Sequence, residues 1–375
     1  MNFPLKQSAL GNQFQDQTPE LHVFKQQLHQ QISCFRNGFP GHVTYAVKSN
    51  DDSDVIHTMY EFGINCFDVA SLHEMEIVRN IAPNADLHYH NPVRSSSEIL
   101  NAFYGFGCKR FAVDHLSELE KLYSLLPETS GIEIAIRFRN TKPSQAVQAF
   151  KSKFGAEPDY AALLLSRAIA MGFTTGLTFH PGSQTMNPHA YTQHIEIAAN
   201  IAQAANTKLQ FLNVGGGFPA QYENLIAQPL QSFFDAIGVA AFQSFPEGIP
   251  HLECEPGRAL VGPSGTLVTT IKSVRRDTGE LFLNDGIYGG LMEVHQFPAL
   301  QPRYTLHTEA PSCAAQTLWT VYGPTCDPTD VLPFRLLLSE TVQDGDQIAF
   351  EGTGAYSTAT STRFNGYGAV RVLVR

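Results

Sequence analysis

The sequence predicts an α/β barrel of eight βα units followed by an antiparallel β domain. Three observations carry that prediction. Eight short β-rich runs recur along the first 255 residues, helix-like stretches separate them, and the texture changes to short β-branched segments after about residue 260. Strands alternating with helical patterns form parallel βα units, and eight such units close into a (β/α)8 TIM barrel rather than an open sheet.

The predicted strands are Val43–Val47, Asn65–Val69, Asp86–His90, Arg110–Asp114, Glu133–Phe138, Gly176–His180, Phe211–Gly215 and His251–Glu255. Between them lie SDVIHTMYEFG, SLHEMEIVRNIA, SSSEILNAFYGFG, HLSELEKLYSLL, PDYAALLLSRAIAMG, HAYTQHIEIAANIAQAA and PLQSFFDAIGVAAFQSF, all with helical periodicity. Asp51–Ser53 can cap the first of these. Ser71 with Glu74 three residues on has capping-box spacing. Gly63, Gly107 and Gly172 fall where helices should stop. After residue 260, LVTTIKSVRR, ELFLNDGIYGG, QTLWTVYG, DQIAFEG and GAVRVLVR are turn-bounded and read as an antiparallel β-barrel or sandwich. The expected division is residues 1–36, with a helix over Pro19–Phe35 and strand character, packing on the β domain; 37–260, the barrel; and 261–375, the β domain.

Composition excludes several function classes. Lys and Arg number 25 against 35 Asp and Glu, a net charge of −10, with no basic cluster for nucleic acid. No stretch approaches the roughly 20 apolar residues of a membrane helix. The N-terminal twenty residues have no apolar leader segment. Six widely spaced cysteines form neither a disulfide framework nor a zinc motif, which fits a reducing cytoplasm. Charged residues are only 16% of the chain, against roughly 25% in typical soluble proteins, which leaves apolar surface for an oligomer interface.

In such a barrel, chemistry sits at the C-terminal ends of the strands. Lys48 ends the first strand, where partial desolvation would lower its pKa and sharpen it as a nucleophile; a lysine reaching to solvent is the plainer reading of that residue alone. Gly215, Gly216 and Gly217 follow the seventh strand and can present bare N–H groups to an anion, or simply turn the chain. Arg258 adds a positive charge, or a surface ion pair. Glu253 and Glu255 could be a hydrolase pair, although retaining glycosidases take carboxyls about 5–5.5 Å apart, as a rule from different strands. His88 and His90 could bind metal, but no third ligand is evident and packed or hydrogen-bonded histidines fit better, so no metal is expected. A lysine amine, an anion nest and an acid together fit pyridoxal 5'-phosphate: the amine carries the cofactor, the nest holds phosphate and the acid pairs with the pyridinium nitrogen.

The motifs that carry these residues are YAVKSN (45–50), FDVAS..E (67–74), SKFGA (152–156), FHPGSQ (179–184), NVGGGFPA (213–220), EPGR (255–258), NDGIYGG (284–290), YGPTCDPTDVL (322–332) and GAYSTATSTRFNG (354–366). In this order they resemble the fold-type III pyridoxal-phosphate decarboxylases that act on ornithine, lysine, arginine and diaminopimelate, the ornithine branch above all. The resemblance implies the alanine-racemase-like fold and a head-to-tail homodimer with shared active sites. It implies that Lys48 carries the cofactor, His180 stacks on its ring, and Glu255 faces the pyridinium. Ser183, Gly215–Gly217, Arg258 with the adjoining Pro256 and Gly257, and Tyr356 would hold the phosphate. Asp68, Glu74 and Arg137 would surround lysine and ring. Cys326, from the partner subunit, would return a proton to the substrate, and Asp327 would read its distal amine. One departure stands out. The second distal acid of ornithine decarboxylases is Phe297 here, with Glu293, His295 and Tyr288 as other substrate-side candidates. A phenyl ring cannot pair with an ammonium, so a modified diamino acid, as in siderophore synthesis, is the alternative substrate. A non-catalytic binding relative and a racemase are the competing readings; Lys48 with Cys326 opposes the first and Glu255 the second.

Overall fold

A computed structural model describes residues 18–126, 128–140, 146–148, 153–309 and 315–375. The expected absence of a leader in residues 1–17, Ser152 of the SKFGA motif and Cys313 lie outside them.

The chain opens with strand β1 (Glu20–Val23) and helix α1 (Lys25–Gly38). The helix therefore begins six residues later than expected, because ELHV alternates half-buried and buried residues as a strand does. The barrel follows: β2 (His42–Val43), β3 (Tyr45–Ala46), α2 (Ser53–Glu61), β4 (Cys66–Val69), α3 (Leu72–Ile81), β5 (Asp86–Tyr89), α4 (Ser96–Leu100), β6 (Arg110–Val113), α5 (Leu116–Leu125) and β7 (Glu133–Arg137). It continues through β8 (Ala146–Gln148), α6 (Pro158–Ala170), β9 (Thr174–Thr178), β10 (Ser183–Thr185), α7 (His189–Ala204), β11 (Phe211–Asn213), α8 (Leu230–Ser244) and β12 (His251–Cys254). The parallel order is β2-β12-β11-β9-β7-β6-β5-β4-β3. Since β2 and β3 are one segment interrupted at Thr44, these are eight strand positions around a closed ring. Thr44 and Ala46 donate N–H groups to the carbonyls of Cys254 and Pro256 across the seam. The small pair β8 and β10 forms a separate antiparallel flap, Gln148 opposite Ser183.

The caps follow the sequence with one shift. Asp52 accepts from the N–H groups of Asp54 and Val55 at the start of α2. Ser71 accepts from the Glu74 N–H at 3.2 Å, but the Glu74 carboxylate takes the N–H of Ala70 at 2.7 Å instead of closing a capping box.

Much of the phenylalanine excess goes into the core. Phe35 of α1 meets Phe218 and Phe234 edge-on at 5.2 Å, and Tyr191 stacks on Phe218 at 4.9 Å. Each buried Phe contributes about 1.5–3 kcal/mol from area alone. This cluster docks α1 onto the barrel, while β1 belongs to the other domain.

That domain holds α9 (Arg258–Val261), leading into β13 (Gly265–Arg275), then β14 (Glu280–Leu283), α10 (Met292–Gln296), β15 (Tyr304–His307), β16 (Gln316–Tyr322), β17 (Leu336–Ser339), β18 (Gln347–Glu351) and β19 (Arg371–Val374). Its sheet order is β15-β18-β13-β14-β16-β17, with β1 beside β13 and β19. The sheet is mixed rather than wholly antiparallel: β14 runs parallel to β16, and β1 parallel to β19. Period-two alternation identifies strands but says nothing of the direction of their neighbours.

Candidate active site

The C-terminal strand ends open into a cavity of about 670 Å³, the size of a cofactor pocket. Lys48 enters it from a short 3₁₀ turn (Val47–Ser49), not from the strand itself. That turn is pinned from two sides. The Tyr45 hydroxyl donates to the Asn50 carbonyl at 2.9 Å and Ser49 Oγ donates to the Ala46 carbonyl at 2.8 Å. From the β domain, the Tyr356 N–H donates to the Ser49 carbonyl at 2.7 Å, and Asn50 Nδ2 donates to the Gly354 carbonyl at 2.9 Å. Tyr356 adopts φ 64°, a left-handed conformation costly for a bulky residue, so the loop is held there by its surroundings.

Lys48 Nζ lies 3.9 Å from Asp68 Oδ2, and its side chain is 47% exposed to the cavity. The expected lowering of its pKa does not occur in these surroundings. Burial pulls it down, but the negative field of Asp68, Tyr356 and Glu255 outweighs burial and raises it.

Glu255, buried, accepts from Asn213 Nδ2 at 2.6 Å and forms a short hydrogen bond with His90 Nδ1. Asn213 uses its carbonyl oxygen to accept the Gly215 N–H at 2.8 Å, so one side chain links the glycine turn to the acid. Burial alone would raise the Glu255 pKa; the charge and hydrogen bond of His90, then Lys48 and His180, bring it well below the usual range. Asp68 is pushed up by burial and by repulsion from Glu255. The pair is thus split into a strong and a weak acid. Asp68, His90 and Glu255 bring one ligand atom each within 4.8 Å of one another, so His90 does have acidic neighbours that the sequence did not reveal.

Glu253 has a different role from Glu255. It pairs with Arg110, which also bonds Glu133 at 2.6 Å and lies 4.0 Å over the Phe211 ring. This buried network fills the barrel one layer below the mouth, so the two glutamates do not form a hydrolytic pair.

The anion side is built from Gly216, Gly217, Ser183, Arg258 and Tyr356, all lining the cavity. Gly217 has φ 90°, and a Cβ there would stand 2.1 Å from the Gly182 carbonyl. At Gly216 a Cβ would stand 2.6 Å from the Glu255 carbonyl. The bare backbone is required by these close approaches. The buried Arg258 donates to Ser183 Oγ at 3.3 Å and to the Tyr222 hydroxyl at 2.7 Å, and lies 5.0 Å over the Tyr356 ring. Gly257 also lines the cavity, whereas Gly215 and Pro256 do not. Arg137 and His180 also line the cavity, the His180 ring beside Gly216 and Gly217, and burial with the nearby charges of Lys48 and Arg137 pushes His180 well below its ordinary pKa, leaving a neutral ring. The glycine cradle and the buried guanidinium fit a phosphate, and the lysine and split acid pair fit a pyridoxal ring.

Other expected site residues lie elsewhere. Glu74 does not line the cavity; it braces the turn at Ala70, which does. His295 is exposed and outside it. Glu293 lines the cavity but is bound to Arg258 by two hydrogen bonds, one at 2.6 Å. Phe297 lines it beside Gln296. Cys326 and Asp327 are outside this chain's own cavity. Cys326 is exposed, its N–H donating to Asn365 Oδ1 at 3.0 Å. Asp327 accepts from the Tyr288 hydroxyl at 2.8 Å, and Tyr288 packs on Phe364 with ring centroids 4.8 Å apart. Sequence reasoning missed Asn213, Tyr222 and the His90–Glu255 contact. Only Asn213 had a signal, as the polar residue opening the glycine motif.

A barrel-mouth lysine, a glycine-lined anion cradle and a buried carboxylate, capped by a β domain, define a pyridoxal-phosphate enzyme. Residues 25–262 match the family described as pyridoxal-dependent decarboxylase, pyridoxal binding domain, and the chain belongs to that family. It is therefore a carboxy-lyase. It is 29% identical to ornithine decarboxylase 2 of Drosophila melanogaster over 338 residues, 86% of this chain and 82% of that one. Among solved structures, the Paramecium bursaria Chlorella virus arginine decarboxylase superposes with a TM-score of 0.85 at 28% identity, covering 96% of each chain. The lysine/ornithine decarboxylase of Vibrio vulnificus complexed with cadaverine gives 0.82 at 29% identity, covering 96% of this chain and 95% of that one. No helix among the described residues is long and apolar enough to cross a membrane.

Proposed function

We propose that this enzyme decarboxylates an L-amino acid with a basic or diamino side chain, releasing CO2 and the corresponding amine. The observation that carries the reading is Lys48 beside the split pair Asp68 and Glu255, facing the cradle of Gly216, Gly217 and Arg258. Bound pyridoxal phosphate supplies an electron sink for the pair left as the carboxylate departs. Lys48 holds the cofactor through its amine. Gly216, Gly217, Ser183, Arg258 and Tyr356 hold the phosphate; Glu255 accepts from the ring nitrogen; neutral His180 and Arg137 line the ring's surroundings. Cys326, given by the partner subunit of a homodimer, returns a proton to the α-carbon in place of the lost CO2. Asp327, oriented by Tyr288, reads the distal ammonium across the same interface.

Phe297 favours a second reading. Among the described residues the acids that line the cavity are Asp68, Glu255 and Glu293, and Glu293 is already engaged by Arg258. The wall at Phe297 and Gln296 offers no carboxylate to a free ammonium. A diamino acid whose distal nitrogen is acylated, as in siderophore synthesis, suits that wall, and diaminopimelate is a further candidate. The test is a panel of ornithine, lysine, arginine, diaminopimelate, 2,4-diaminobutyrate and citrate-conjugated diamino acids, read by CO2 release and product mass. Turnover of the free basic amino acids supports the first reading and turnover confined to conjugates the second. An enzyme loaded with cofactor that releases CO2 from none of them overturns both.

A further inference from the structure

His90 is a titratable residue of this cavity that the proposed reaction leaves without a task. It follows β5, is buried, and lines the cavity. Its Nδ1 meets Glu255 Oε1 and lies 3.9 Å from Asp68 Oδ1. Its Nε2 is buried with no hydrogen-bond partner among the described residues, and the His88 ring stands 5.3 Å away, itself engaged with Cys66 at 3.2 Å. An ionised carboxylate only accepts, so Nδ1 carries the proton in this contact. A hydrogen bond to a charged acceptor is about twice as strong as a neutral one.

We infer that His90 is a positioning residue: by donating from Nδ1, together with Asn213, it holds Glu255 ionised and in one orientation for the ring nitrogen of the cofactor. Asn213 and His90 both address Oε1, which leaves Oε2 as the oxygen without either contact. A carboxyl at this depth would otherwise take up a proton, since burial disfavours its charge and Asp68 repels it. A protonated Glu255 could not accept from a protonated ring nitrogen. His90 acts through Glu255 and has no step of its own in the proposed reaction. The inference rests on the assignment of Glu255 to the ring nitrogen, made above.

The test uses affinity instead of turnover. Apoenzyme is titrated with pyridoxal phosphate and with its 1-deaza analogue, in which carbon replaces the ring nitrogen. Wild type is expected to prefer the natural cofactor. His90→Ala should weaken pyridoxal phosphate about tenfold or more, the loss of one hydrogen bond to a charged group, and leave the deaza analogue nearly unchanged. In the Glu255→Gln background, His90→Ala should cost nothing further. His90→Asn, whose amide Nδ2 can stand where Nδ1 stood, should restore most of the preference, and also separates lost function from a misfolded alanine variant. If Glu255→Gln abolishes the preference while His90→Ala keeps it, or if both His90 variants weaken the two ligands equally, the role of His90 is overturned and that of Glu255 stands. If Glu255→Gln keeps the preference, the Glu255 assignment falls, and this inference with it.

Discussion

Two regions of this molecule carry the residues that the decarboxylase motifs point to, and they are built in opposite ways. The barrel mouth is built from buried, mutually bonded groups: Asp68, His90 and Glu255 are buried, and Lys48 sits on a turn braced from both domains. The loop carrying Cys326 and Asp327 lies outside the cavity with Cys326 exposed, and it is held by Tyr288, Thr329 and Asn365 and, at Thr325, by the buried Asp330. The residues proposed to hold the cofactor thus meet within one chain, whereas Cys326 and Asp327 do not reach the cavity of their own chain.

The largest effect expected belongs to the barrel mouth. Lys48→Ala should lose the visible absorption of the bound cofactor and all measurable amine production; a variant that keeps the wild-type spectrum removes Lys48 from its role. Next comes the loop. Cys326→Ala should keep the spectrum and lose activity by about 10²–10⁴, the usual worth of a positioned proton donor. Mixing the two inactive variants sharpens the contrast. If each site takes Lys48 from one subunit and Cys326 from the other, refolding them together in equal amounts should recover about a quarter of wild-type activity. No recovery would place both residues in the same subunit's site.

The smallest effect concerns the frame of that loop. Asp285 is buried and accepts the Gly290 N–H at 2.9 Å, and burial, with Asp330 nearby, pushes its pKa up to about 7. A group raised on folding holds its proton longer in the native state, so its contribution is present below the unfolded value and is lost as pH rises through about 7. Stability of the apoprotein should fall on the order of 2–4 kcal/mol between about pH 4 and 7 from this group. Asp285→Asn should flatten that slope in pH-dependent thermal melts; an unchanged slope would show Asp285 ionised throughout.

The strands and helices were largely legible because their periodicities are local. Helix ends at Gly63, Gly107 and Gly172 and the caps at Asp52 and Ser71 fall where the sequence placed them. The start of α1 differs because ELHV suits either state until its partners β13 and β19 are known, and both lie far along the chain, in the other domain. The site divided the same way. Motif residues identified Lys48, the glycine turn, Glu255 and Arg258. They did not show that Glu74 braces backbone or that Glu293 binds Arg258, because both facts depend on where side chains from different segments meet.

What the sequence by itself determined is the order of elements, the cofactor class and the family, since short motifs encode chemistry that each segment performs locally. The state of the groups follows from the folded arrangement alone. Lys48 is raised rather than lowered in pKa, because Asp68 and Glu255 arrive from other strands. Glu253 and Glu255, neighbours on β12 and at its end, part company because Arg110 takes one and His90 the other, from residues 143 and 165 positions away. Electrostatic energy depends on distance through space, and spacing along the chain does not report it.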